Sequence, residues 1–124
     1  MAVDVWQIYF VSRCQHTRPK PKPKLVIVVC VGSRPMGFLI NTNIDHWIQI
    51  DPVKLATQAI ILAEEHPCLE YDSYVDCHEL FPFDESELTN KRDPISPTAK
   101  ASIKTAVSNS KALVTKHKKL ILKG

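Results

Sequence analysis

Apolar positions in the first forty residues come in short, dense runs rich in β-branched side chains. Val3 to Val11 alternates in part, with Val5, Gln7, Tyr9 and Val11 on one parity and Trp6, Ile8 and Phe10 on the other. That pattern predicts a first strand, buried on both faces for part of its length, with Trp6 in the core. Leu25-Val26-Ile27-Val28-Val29-Cys30-Val31 is too short for a buried helix, so Lys24 to Val31 is predicted to be a central strand. Gly32-Ser33-Arg34-Pro35 is a turn, and Met36 to Thr42 hairpins back through it as a third strand. Trp47, Gln49 and Asp51 alternate against Ile48 and Ile50, which predicts a short strand stopped at Pro52. Gln58 to Ala63 suits strand or helix, and strand is preferred in a chain already rich in sheet. Ser73 to Leu80 alternates throughout, placing Ser73, Val75 and Cys77 on one face and Tyr74, Asp76 and His78 on the other.

The connections carry their own signals. Arg13 to Lys24 is basic and holds Pro19, Pro21 and Pro23 at alternate positions, which cannot be helix and cannot donate to a ladder, so a solvated loop is expected. Glu64 to Asp72 reads as a polar loop, and Pro82 to Pro94 as acidic and irregular. Ser96-Pro97 then supplies an N-cap and a first-turn proline. Ala99, Ile103, Ala106 and Val107 follow at helical spacing, so a helix runs to about Ser108. Asn109 or Ser110 caps a second helix carrying Leu113 and Val114, and Leu120-Ile121-Leu122 docks as a terminal strand or tail. The fold class this implies is mainly β with C-terminal helices (α+β), as a single domain over 1–124 with its helical part at about 96–118.

Composition changes the picture in two places. At 124 residues the chain can bury a real core, and its longest apolar run is far below the ~20 residues that cross a bilayer, so no membrane partner is expected. The segment Met1 to Phe10 contains Asp4 and no basic region, which speaks against a signal peptide and for a cytoplasmic address with the four cysteines reduced. The net charge of +3 hides a strong asymmetry. Residues 1–44 hold six Lys or Arg and one acid, residues 45–93 hold twelve acids and three bases, and residues 94–124 hold seven Lys and no acid. Such a bipolar distribution marks either a charged partner or merely solvated faces. His66-Pro67-Cys68 and Cys77-His78 lack zinc-finger spacing, and three glycines cannot build a phosphate-binding glycine loop, so neither metal nor cofactor is expected.

Several segments, taken in order, carry a family likeness: Arg18-Pro19 before Leu25 to Val29, then Phe38-Leu39-Ile40-Asn41-Thr42, then Ser73-Tyr74-Val75-Asp76-Cys77, and finally Pro94-Ile95-Ser96 with Ile103 and Val107. The chain in this respect resembles the MazF/PemK family of toxins, small ribonucleases on an SH3-like barrel. The resemblance implies a metal-independent endoribonuclease acting on single-stranded RNA, a homodimer, and an antitoxin partner that covers the cationic groove. Two departures stand out. Lys20-Pro21-Lys22-Pro23 is interposed between Arg18-Pro19 and the apolar strand, and Tyr74 occupies a position where some family members carry an Arg, two residues before the aspartate.

Cleavage of this kind sends the ribose 2′-OH onto the adjacent phosphate, which needs a base, an acid for the departing 5′-oxygen and positive charge for the phosphate. Asp76 is the candidate base or orienting carboxylate, Arg18 the phosphate fork, His16 a proton donor and Thr42 a hydrogen-bonding group for phosphate. Lys20, Lys22 and Lys24 supply backbone affinity, and Tyr74 and His78, on the strand face of Asp76, complete an RNA-binding surface on which Tyr74, Trp47 or Trp6 can stack a base. Each has a plainer role open to it: a solvent-facing strand Asp, ordinary loop cations, a Thr beginning a turn. A non-catalytic SH3-like module that binds nucleic acid or a protein is the alternative reading, favoured by Tyr74.

Overall fold

The computed structural model describes residues 3–124. Its strands are β1 (Gln7–Cys14), β2 (Lys22–Val31), β3 (Pro35–Asn41), β4 (Gln58–Ile61), β5 (Ser73–Asp76), β6 (Phe81–Pro82) and β7 (Asn90–Pro94). Four helices accompany them: α1 (His46–Gln49), α2 (Pro52–Leu55), α3 (Pro97–Asn109) and α4 (Thr115–Lys123). The strands form one antiparallel sheet in the order β4-β5-β3-β2-β1-β7, with β6 pairing β3 from the side. The sheet curls into a half-barrel with the longer helices at the C-terminal end, which is the α+β class expected.

Alternation along the central strands divides the interior in two, because successive strand side chains point to opposite faces. Ile8, Ile27, Val29, Phe38, Ile40 and Val75 pack with Ile103, Ala106 and Val107 of α3 and Ile121 of α4. Tyr9, Val11, Val26 and Val28 pack on the other face with Phe83 and Leu88. Having both faces covered explains why β2 is apolar without a break from Leu25 to Cys30. Burial of Trp6 is as expected, and Trp6 also holds a left-handed backbone (φ 58°) that costs a non-glycine residue about 1–3 kcal/mol. Two main-chain bonds hold it there, Trp6 N–H to the Val28 carbonyl (2.6 Å) and Ile95 N–H to the Trp6 carbonyl (2.9 Å). Gly37 marks the bend where β3 serves β2 and β6 together: a Cβ there would lie 2.3 Å from the Ile27 carbonyl oxygen, so only glycine permits the approach.

Several sequence expectations need correction. The basic loop is shorter than Arg13 to Lys24, since β1 runs to Cys14 and Lys22-Pro23-Lys24 already belongs to β2. Pro23 is tolerated because the β1–β2 register shifts between Val11 and Cys14, and a bulge makes no demand on its missing N–H. The first strand starts at Gln7, not Val3, and the one from Ser73 ends at Asp76, not Leu80. Trp47 to Asp51 is not a strand. Asp45 accepts from Trp47 N–H (2.8 Å) and Asp51 from Val53 N–H (3.0 Å), so each begins a single helical turn, and Pro52 starts α2 instead of stopping a strand. The segment from Pro82 is not wholly irregular, because Asn90–Pro94 pairs with β1. Ser110 caps only a turn, accepting from Ala112 and Leu113 N–H (3.3 and 3.4 Å), and Leu120-Ile121-Leu122 lies in α4. The first long helix is as predicted, with the Ser96 hydroxyl accepting from Ala99 N–H (3.1 Å) and Pro97 in the first turn. Among the described residues no helix is long and apolar enough to cross a membrane.

Candidate functional site

The site begins with the short connection between β1 and β2. Thr17 is buried and sets its hydroxyl between the carbonyl oxygens of Cys14 (3.0 Å) and Lys20 (2.8 Å), which closes the connection on itself. The Arg18–Pro19 peptide is cis. His16 stacks on Phe81 (4.4 Å between ring centres, 20° between planes) and meets the edge of Phe83 (5.2 Å, 89°). Its Nε2 lies 2.8 Å from the Pro82 carbonyl oxygen, so Nε2–H donates to that carbonyl. The cationic arm is thereby fastened to β6, which rides on β3.

This fastening leaves a groove of about 410 Å³ lined by His16, Thr17, Arg18, Lys22 and Lys24 on one side, and by Asn41, Asp76 and Glu79 on the other. A second cleft of about 620 Å³ adjoins it, lined by Thr42, Asn43, Asp45, Ile48 and Gln58. Lys24, Asn41 and Asp76 line both. They form the waist at which the two hollows meet.

Asp76 is held by register. Gln58 stands directly opposite it on β4 and donates from Nε2 to Oδ1 (2.9 Å), while His78 N–H donates to the same oxygen (3.1 Å). Both bonds fall on Oδ1, and among the described residues Oδ2 takes none, so the carboxylate is oriented with one oxygen unengaged. Lys24 shares the parity of Val26 and Val28, which carries it toward the groove side. Its ammonium donates to Asn41 Oδ1 across β2 and β3. Burial lowers its pKa, with opposition from Cys14, support from Lys22 and a weaker opposing effect of Asp76.

The structure thus gathers His16, Arg18, Lys22, Lys24 and Asp76, and sets Thr42 in the adjoining cleft. It does not gather the remaining candidates. Lys20 lies outside the groove with its carbonyl bound by Thr17. Tyr74 is opposite Asn41 and so shares the face of Asp76, yet it lines neither hollow. His78 follows the end of β5 and turns into a separate hollow with His117, so the expected convergence of Tyr74, Asp76 and His78 is not formed. Trp47 is 71% exposed on α1 and Trp6 is buried under α3, with the Lys100 and Lys104 ammonium groups 5.0 and 5.8 Å from its ring centre.

Asn41, Gln58 and Glu79 were missing from the sequence reading. Antiparallel pairing of the two predicted strands about the intervening loop is the signal that puts Gln58 opposite Asp76. Asn41 and Glu79 had none. Among the described residues no three His, Cys, Asp or Glu side chains gather as a metal site. The buried His66 has both nitrogens engaged, Nδ1–H donating to the Leu62 carbonyl (2.8 Å) and Nε2 accepting from Ser96 N–H (3.0 Å). All four cysteines are free, and burial together with Asp93 raises the Cys68 thiol to about 11. No protein-family model matches the chain, and no curated protein matches it either.

Proposed function

We propose that the protein is a toxin-like, metal-independent endoribonuclease of the MazF/PemK kind that cleaves single-stranded RNA. The observation that carries this reading is the meeting of His16, Arg18, Lys22 and Lys24 with the oriented carboxylate of Asp76 in one groove. The free oxygen of Asp76 accepts the 2′-hydroxyl proton. Arg18 and Lys22 neutralise the pentacoordinate phosphate, and a guanidinium does so in a two-pronged way. The groove volume falls in the range of about 300–1,000 Å³ typical of sites that hold small ligands, sufficient for a nucleotide and its flanking phosphate. An antitoxin segment would compete for the same cations, and a homodimer would present the groove twice.

The test incubates wild type, Asp76→Ala and Arg18→Ala with unstructured RNA in chelator and analyses the fragment ends. Fragments ending in a cyclic phosphate from wild type, absent from both variants, are the expected result. RNA retained without cleavage by wild type would instead establish the non-catalytic binding module, the reading that Tyr74 favours.

A further inference from the structure

Arg18, His16, Lys22 and Lys24 all bring protons to the groove, and chemistry and placement separate them. Arg18 holds its proton too tightly to give it up near neutral pH. His16 has its Nε2–H committed to the Pro82 carbonyl, and both it and Lys22 line the groove but not the adjoining cleft. Lys24 has three N–H bonds and spends one on Asn41, so two remain for the groove. It also stands beside Asp76 at the waist common to both hollows, where a chain passing from one to the other must cross. Tyr74, the residue two before Asp76, lines neither hollow.

Resting on the ribonuclease reading, we propose that Lys24 is the general acid of this site, donating a proton to the 5′-oxygen as it leaves. In that step Asp76 takes the 2′-hydroxyl proton, the 2′-oxygen bonds to phosphorus, the bond from phosphorus to the 5′-oxygen breaks, and a Lys24 N–H proton passes to that oxygen. The products are a 2′,3′-cyclic phosphate and a 5′-hydroxyl. Lys24 regains a proton from water and Asp76 releases one, so no proton is consumed overall. The groups facing the ammonium suit the role. Cys14 on β1 is itself shifted upward by burial, Lys22 lies two residues back on the same strand, and Asn41 stands across on β3. Asp76 from β5, His16 and Arg18 from the connection, and Glu79 beyond β5 complete the surroundings. Burial, assisted by Lys22, outweighs the opposing effects of Cys14 and Asp76, so the ammonium releases its proton more readily than an exposed lysine.

The experiment compares wild type, Lys24→Met and Lys24→Arg on a short unstructured RNA and on the same RNA with sulfur in place of the bridging 5′-oxygen at the cleavage site. A thiolate leaves without protonation. Both variants should lose about 10²–10⁴-fold in single-turnover rate on the oxygen substrate, the usual worth of a positioned acid, while KM changes little. On the sulfur substrate both should return to near the wild-type rate. The wild-type rate on oxygen should fall as pH rises through the Lys24 pKa, at a pH below the ordinary lysine value of 10.5, and this limb should vanish with sulfur. Lys24→Arg keeps the charge, so it decides the matter should Lys24→Met not fold by circular dichroism. Wild-type rates in the variants, or a loss that sulfur does not rescue, would overturn the assignment. Failure of wild type to cleave either substrate would instead bring down the ribonuclease reading, and the Lys24 role with it.

Discussion

Two faces of this protein are cationic, and they differ in how their cations are held. Residues 94–124 carry seven lysines and no acid, and none of these lysines takes part in an ion pair among the described residues. On α4, Lys116, Lys119 and Lys123 recur at i, i+3 and i+7 along an exposed stripe. The groove side has fewer charges, but three of its groups have a partner: His16 is clamped by Phe81 and Pro82, Lys24 by Asn41, and Asp76 by Gln58. A mobile lysine loses side-chain entropy when it meets a ligand, whereas a positioned one has already lost it in folding. Charge count alone therefore favours the helical face, and geometry favours the groove. Chemistry needs geometry.

The largest effect is expected at Asp76. Asp76→Ala should cost about 10²–10⁴-fold in cleavage rate with the melting temperature little changed, as measured by fragment assay and thermal melt. Ile103→Ala on α3 should do the reverse. Removing a fully buried side chain costs about 2–5 kcal/mol of stability by denaturant unfolding, and the folded fraction should cleave at the wild-type rate. A matching loss of specific activity would tie the groove to the helical core. Gln58→Leu leaves Asp76 with the His78 N–H alone, and a fall of about tenfold in rate, near 1.4 kcal/mol, is expected without loss of fold. The smallest effect is expected from neutralising Lys116, Lys119 and Lys123 together. The salt dependence of RNA binding should stay as in wild type, while a slope reduced by about 0.7 per lysine would show that RNA lies across α4.

Much of the fold was legible because burial leaves a mark on composition. Val26 to Cys30 is covered on both faces and reads, with Leu25 and Val31 at its ends, as a continuous apolar run, and Ser96-Pro97 announces α3 by its capping chemistry. β7 left no such mark. Asn90–Pro94 is almost wholly polar and is held by pairing with β1, by Gln7 Nε2–H donating to the Arg92 carbonyl (2.8 Å), and by Arg92 over the Phe10 ring (5.3 Å). The alternation from Trp47 to Asp51 misled for the opposite reason. Nothing in α1 or α2 is buried, so a two-residue period there records no buried face, and Asp45 and Asp51 decide the conformation instead. At the site, Arg18, His16, Lys22, Lys24 and Asp76 could be named by residue type. The centrality of Lys24 could not, since it depends on the β2–β3 register that sets position 24 beside Asn41. His78 was misplaced by extending a strand to Leu80, four residues past its end at Asp76.

Gly37 has no functional group, yet the seating of His16 beside the groove depends on it. The backbone that it lets settle against Ile27 pairs on its other side with Phe81, and Phe81 is the surface on which the imidazole of His16 lies. A methyl group at position 37 would push those layers apart in sequence and loosen the ring without touching it. The smallest residue in the sheet in this way sets the tolerance to which the cationic arm is aligned.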